Sequence, residues 1–311
     1  MKALSTLPAM RPSPLPPPLA PGARVALVAP AGPLRNQGEL AASITHARAL
    51  GWEPVVGKHA LARYGYLAGS DAERLDDLNT ALRDDMIDAV WCLRGGYGVM
   101  RLLDDVDYEA LRRRPRTILG YSDITALHAA IGLRSALVTY HGPTARGALG
   151  TFSRDSLERA VVAQEDSCGA AIGARTLRGG RAEGRLVGGN LALLTALTGT
   201  PYAPDYRGAI LVLEDVGEAT YRIDRMLTQL RLAGALHQLA GIAFGHFTDG
   251  SDPSDAGSRP LDDVLREAAD VAGVPAVAGI PMGHIDEQWT IPLGARAELD
   301  ADSGALHVLL D

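Results

Sequence analysis

The chain has 311 residues, 47% of them hydrophobic and 22% charged, which is the composition of a globular protein large enough for two domains of ordinary size. A net charge of −7 and a pI near 5.6 argue against a nucleic-acid-binding surface, which needs clustered Lys and Arg to neutralise phosphates. Only Lys2 and Lys58 are lysines, and Cys92 and Cys168 are too few for a disulfide framework or a zinc cluster, so a reducing compartment is expected.

Residues 1–22 are rich in proline and lack the apolar stretch of a signal peptide; they predict an extended, partly disordered lead-in. The first strand is predicted at 24–29 ("RVALVA"), followed by an Ala-rich helix at 38–50, the strand-like "WEPVV" and a charged helix at about 71–84. A strand at 87–93, a helix around 99–104, a strand-like run at 117–120 and a helix from Asp123 follow, and "ALVTYHGP" closes this half. Apolar runs alternating with helical stretches indicate βαβ units, a mostly parallel sheet with helices on its faces. Between 164 and 181 the periodicity fades and glycine rises, which predicts a linker between domains at 23–163 and 182–311. The second half has another rhythm and predicts a smaller mixed α/β domain ending in an antiparallel hairpin, "ARAELD" and "ALHVLLD". No segment is apolar for long enough to span a membrane.

Four stretches are candidates for chemistry. In "TILGYSDITALH" Ser122 falls between a buried strand and a helix, at the carboxyl edge of the sheet where open α/β folds bind ligands. Two readings fit: a helix N-cap, a role in which serine is common, or a nucleophile presented on a sharp turn. "LRGGYG" places paired glycines directly after a strand, suited either to a tight turn or to backbone N–H groups aimed at an anion. It matches neither a dinucleotide fingerprint nor a P-loop. "GAILVLEDVGE" ends a strand in Glu214 and Asp215, with Glu218 close behind; such carboxylates orient a histidine, bind a metal or simply sit in solvent. "GIPMGHIDEQWTIPLG" puts His284 in a turn-rich loop. His246 has Asp249 and Asp252 nearby but in no metal-binding pattern, so no metal is expected.

Taken in order, "YLAGSDAERLDDL", "AVWCLRGGYGVMRLL", "ILGYSDITALH", "GRLVGGNLALLTALTGTPY", "ILVLEDVGEATYRIDRMLTQL" and "IPMGHIDEQWTIPLGARAEL" resemble the LD-carboxypeptidase family of serine peptidases, the S66 group, over about residues 24–299. The resemblance implies a Ser–His–Glu triad, carried here onto Ser122, His284 and Glu214, with backbone oxyanion donors at Gly96 and Asp123. It implies a murein tetrapeptide substrate cleaved before its terminal D-Ala in cytoplasmic peptidoglycan recycling, a homodimer, and no metal or organic cofactor. Relatives of the microcin-immunity type instead cleave an amide in peptide–nucleotide antibiotics, which is the alternative; a non-catalytic muropeptide-binding module is the remaining one. An exopeptidase must also bind the free carboxylate of its substrate, and Arg94 and Arg222 are the candidates.

Overall fold

The computed structural model describes residues 13–251, 257 and 259–310. Strands β1 (Arg24–Val28), β2 (Glu53–Val56), β3 (Ala89–Cys92), β4 (Thr117–Gly120) and β5 (Thr139–His141) are interleaved with helices α1 (Gln37–Ala49), α2 (Asp71–Arg83), α3 (Tyr108–Arg113), α4 (Thr125–Ser135) and, after β5, α5 (Thr151–Glu158). All five strands pair in parallel, in the order β5-β4-β3-β1-β2. Their apolar runs follow from burial on both faces. Val25 and Leu27 of β1 enter one core, while Ala26 and Val28 enter the core beneath α2 and α4. Helix α2 starts at Asp71, as expected: Ser70 caps it and Glu73 returns the bond to the Ser70 backbone, a capping box. The helix expected around 99–104 is two short 3-10 turns, Val99–Arg101 and Leu103–Asp105.

The second sheet is mixed. Its elements are β6 (Gly169–Ala170), β7 (Arg175–Arg178), β8 (Arg181–Asn190), α6 (Leu191–Leu197), β9 (Ala209–Val216), α7 (Thr220–Leu232), β10 (Gly241–Thr248), α8 (Leu261–Ala272), β11 (Ala276–Ala278), β12 (Ile291–Leu293), β13 (Arg296–Asp300) and β14 (Ala305–Leu309). All but β12 form the order β6-β14-β13-β8-β9-β10-β11-β7, in which β8 to β11 are parallel and β13 pairs antiparallel with β8 and β14. The architecture is α/β, with a mostly parallel first sheet flanked by helices and a mixed second one.

Three placements depart from the sequence reading. The segment 164–181, expected as a linker, supplies β6 and β7, the two edge strands of the second sheet. Edge strands are short and half-solvated, so they leave little periodicity to read. Strand β12, from the expected second domain, pairs antiparallel with β5 and extends the first sheet to six strands. The described part of the proline-rich lead-in is strapped to the body. The Pro14 carbonyl accepts from Val138 N–H (3.1 Å), the Pro16 carbonyl from Gln164 (2.7 Å), and Leu19 is buried and bonded to the Val161 carbonyl.

One hydrophobic cluster joins both halves, since it takes Val25, Leu27, Trp91 and Leu119 from the first sheet and Ile210, Val212 and Ala243 from the second. Leu211 and Leu213 of β9 face away from it, toward α6, α7 and α8. Strand alternation therefore continues Ile210 and Val212 into Glu214 on the face turned toward the first half, and Leu211 and Leu213 into Asp215 on the other. The positions of both carboxylates follow from this count.

Candidate active site

Strand β4 ends at Gly120 because the next turn folds back tightly: a Cβ there would lie 3.0 Å from Cys92 Cβ and 3.1 Å from the Ile124 side chain. Ser122 opens a 3-10 turn, Ser122–Ile124, that runs into α4, with its backbone at φ +65°. A non-glycine residue in that left-handed region costs about 1–2 kcal/mol. The N-cap reading fails. Tyr121 and Ile124 occupy the cap positions of the 3-10 turn and of α4, and neither end has a side-chain capping bond. The strained turn presents the hydroxyl instead of using it for the helix, in the manner of a nucleophile elbow.

The "LRGGYG" turn lies directly against this serine. A Cβ on Gly95 would meet Ser122 Cβ at 2.7 Å and Oγ at 2.9 Å, so this position has room only for glycine. Gly96, at φ +118°, packs on Gly32, whose N–H donates to the Gly95 carbonyl (3.0 Å). The buried Asp123 carboxylate accepts from Val99 N–H (2.8 Å), tying the serine turn to the far end of the glycine turn. Burial raises the Asp123 pKa, and the Val99 bond opposes that rise.

Glu214 is fully buried at the carboxyl end of β9, and its Oε2 lies 2.8 Å from His284 Nδ1. A carboxylate only accepts, so Nδ1 is the donor, an arrangement that in the neutral imidazole leaves the lone pair on Nε2. Gly283 makes the approach possible: it stands at φ +127°, and a Cβ there would lie 3.3 Å from Glu214 Oε2. The Met282 carbonyl, bonded to His246 N–H (2.8 Å), fixes the loop to β10. Tyr121, the residue before Ser122, packs its ring on His284 with centroids 4.8 Å apart, and its other neighbour is buried His141 at 5.9 Å. Burial and then the Glu214 charge raise the Tyr121 pKa. The serine turn and the Glu214–His284 pair thus meet through Tyr121.

The halves are locked together close by. Asn190, paired with Glu214 across β8 and β9, donates its N–H to Thr125 Oγ1 at the start of α4 (2.9 Å). Gly189 admits that contact, since a Cβ there would lie 2.4 Å from Thr125 Oγ1. Asp215 accepts from Asn190 Nδ2 and from the N–H groups of Ala192 and Val216; burial pushes its pKa up to about 6.

Of the remaining candidates, Arg94 lies beside the glycine turn and donates to the Pro33 carbonyl (2.6 Å). Arg222 stands on the exposed face of α7, 3.5 Å from Glu218 and bonded to the Tyr221 hydroxyl, and no bond joins it to Ser122, Glu214 or His284 among the described residues. Glu218 is thereby engaged with Arg222, not with His284. The only grouping with metal-ligand spacing among the described residues is His59, Asp76 and Asp77 beside α2. Both Asp77 oxygens already accept from His59 N–H, and Lys58 Nζ lies 4.0 Å from Asp76, so its charge is met within the protein. Asp252, noted near His246 in the sequence, lies outside the described residues. Sequence reasoning missed Gly95, Gly283 and Tyr121, whose roles depend on contacts between segments far apart in the chain; the glycines of "RGGYG" and "PMGH" were the available signal.

The profile of the LD-carboxypeptidase N-terminal domain matches residues 25–142, and that of the LD-carboxypeptidase C-terminal domain matches 183–299. The murein tetrapeptide carboxypeptidase of Pseudomonas aeruginosa is 38% identical to this chain, over 90% of it and 94% of the relative. The chain belongs to the LD-carboxypeptidase family. As a member it is a serine carboxypeptidase, a hydrolase of peptide bonds. The crystal structure of muramoyltetrapeptide carboxypeptidase from Oxalobacter formigenes superposes with a TM-score of 0.82 at 29% identity, covering 92% of this chain and 97% of that one. MccF bound to glutamyl sulfamoyl guanosine superposes with a TM-score of 0.88 at 23% identity, over 96% and 98% of the two chains, which is a likeness of fold. The microcin C7 self-immunity protein MccF of Escherichia coli is 26% identical over 83% of this chain and 84% of its own length. No helix among the described residues is long and apolar enough to cross a membrane.

Proposed function

We propose that this LD-carboxypeptidase hydrolyses the amide between the L-centre of a diamino acid and the terminal D-Ala of murein tetrapeptides, in peptidoglycan recycling. The observation that carries the reading is the 2.8 Å Glu214–His284 pair packed, through Tyr121, against a serine in left-handed backbone. Ser122 Oγ attacks the amide carbonyl while His284 Nε2 takes its proton. Glu214 holds the imidazole tautomer and stabilises the imidazolium. The N–H groups of Gly96 and Asp123 receive the developing oxyanion, where one donor is worth about 3 kcal/mol. His284 passes the proton to the amine of D-Ala as the C–N bond breaks. Water, deprotonated by the same Nε2, then attacks the acyl-enzyme and the proton returns to Ser122. No residue of this scheme needs a metal or an organic cofactor.

The murein substrate is supported by the 38% identity to the Pseudomonas aeruginosa enzyme, against 26% to MccF. On the same reading the enzyme acts in the cytoplasm, with the family resemblance supporting a homodimer. The test is release of free D-Ala from lysine-type and diaminopimelate-type tetrapeptides, followed by mass spectrometry, with Ser122→Ala in parallel. Release by the wild type alone supports the assignment. Release from neither tetrapeptide, with cleavage of an aminoacyl sulfamoyl nucleoside, moves the substrate to the antibiotic class. Binding of muropeptide without turnover of any of these leaves a binding module.

A further inference from the structure

The segment after β5 runs alongside the end of β3. Trp91 Nε1 donates to the Pro143 carbonyl (2.7 Å), Ala145 N–H to the Cys92 carbonyl (3.0 Å) and Arg146 N–H to the Leu93 carbonyl (3.3 Å), while His46 Nδ1 lies 2.9 Å from the Ala145 carbonyl. This brings Arg146 beside Arg94, at the edge of the sheet that carries Ser122. Arg94 reaches over Gly32, where a Cβ would lie 3.7 Å from its Nε and 3.0 Å from the Gly95 carbonyl, and Gly95 is the residue in contact with Ser122.

The charges here do not balance. Arg35, Arg63 and Arg146 all act on Arg94, and Glu39 is the one carboxylate among the groups that do. Glu39 Oε1 accepts from Arg146 Nη1 (2.9 Å) and lies 4.0 Å from Arg35 Nε. Among the described residues, Arg94 and Arg63 donate to the carbonyls of Pro33 and Leu34, which carry no charge, and to no carboxylate. Arg146 Nε is buried and has no partner among the described residues. Burial, and then the Arg146 charge, depress the Arg94 pKa. Arg146 also acts on Tyr121, so its charge is felt at the serine turn. Four guanidiniums sharing one carboxylate in a partly buried place repel one another, and an arriving anion removes that repulsion.

We infer that Arg94 and Arg146 together form the receptor for the α-carboxylate of the substrate's C-terminal residue. The inference rests on the exopeptidase reading above, in which that carboxylate lies one residue beyond the carbonyl attacked by Ser122. Arg94 supplies a charge with no counter-ion of its own among the described residues, and Arg146 supplies a second guanidinium held in place by Glu39. Two planar guanidiniums match the two oxygens of a carboxylate, and neither meets a carboxamide equally well.

The test compares kcat/KM for a murein tetrapeptide and for its C-terminal carboxamide. Arg146→Gln should lose roughly 10- to 100-fold on the carboxylate, mainly through KM, and stay within about 2-fold on the amide, as expected for one charge-assisted bond. Equal losses on both substrates, or no loss on either, would overturn the assignment. Arg146→Lys keeps the charge without the fork, so it should narrow the preference several-fold; it decides the matter if Arg146→Gln does not fold. If the wild type cleaves neither murein substrate, the functional reading falls and the pair is tested separately. Calorimetric titration of Ser122→Ala with N-acetyl-D-alanine and N-acetyl-D-alaninamide then decides. Carboxylate-selective binding that Arg146→Gln abolishes keeps the receptor, whereas equal binding or none removes it.

Discussion

The two sides of the site are held by opposite means. On the serine side the backbone does the positioning: Ser122 stands at φ +65° in a turn one residue past a buried strand, with Gly95 closing against it. On the histidine side Glu214 lies in regular β9 and is held by complete burial, while Gly283 supplies the unusual backbone that lets His284 approach. A nucleophile has to be exposed to substrate, so a local strained turn presents it. A carboxylate that orients an imidazole works best away from water, so it belongs in the middle of a sheet.

The strongest way to break this comparison is Ser122→Ala. It should lower kcat on tetrapeptide by about a millionfold, the scale of losing a serine nucleophile, and leave stability within about 0.5 kcal/mol. Glu214→Gln comes next. It keeps the shape but lets the wrong imidazole tautomer form, and kcat should fall roughly 10,000-fold with the melting temperature little changed. The two glycines then separate the sides. Gly283→Ala puts a side chain where φ is +127° and crowds Glu214 Oε2, so it should cost about 1–3 kcal/mol of stability together with activity. Gly95→Ala meets Ser122 at 2.7 Å and the Tyr121 carbonyl at 3.2 Å, with no positive φ to strain, and should cut kcat about 100-fold with a smaller loss of stability. Parallel steady-state assays and thermal melts check both; equal stability losses would erase the distinction.

The smallest effect concerns the support under the serine. His128 is buried, bonds the Gly120 carbonyl through Nε2 (2.9 Å), and has its pKa pushed down to about 4, chiefly by burial. Its folded pKa lies below the unfolded value near 6.5, so the stability it contributes is full above pH 6.5 and lost as pH falls toward 4. His128→Gln retains a donor for Gly120 and removes the titration. Urea unfolding at pH 7 and pH 4 should show the acid loss reduced by about 3 kcal/mol in this variant. An unchanged acid limb would assign the loss elsewhere.

How much was legible follows from these contacts. Strands β1, β3 and β4 stand out as apolar runs because both faces are buried, and β9 could be counted through to Glu214 for the same reason. The strands β6, β7 and β12 could not be read, being two to four residues long, at sheet edges and, in β12, interrupted by Pro292. Ser122 was ambiguous because serine suits both a cap and a nucleophile; the backbone angle and the missing capping bond speak against the cap. Arg146 was invisible because its neighbour Arg94 is 52 positions away and is reached through a backbone bond to Leu93. Tyr121 likewise acquires its role only when the second half closes on the first, and Gly283 only when its loop folds back on β9 and β10.

The central claim is that a base held by the second half activates a serine held by the first. It is tested most directly by rapid quenching of the wild type with tetrapeptide, followed by peptide mapping in the mass spectrometer. The tripeptide acyl group should appear on Ser122 and be absent in Ser122→Ala. An acyl group on another residue, or D-Ala release undiminished in Ser122→Ala, would contradict the account.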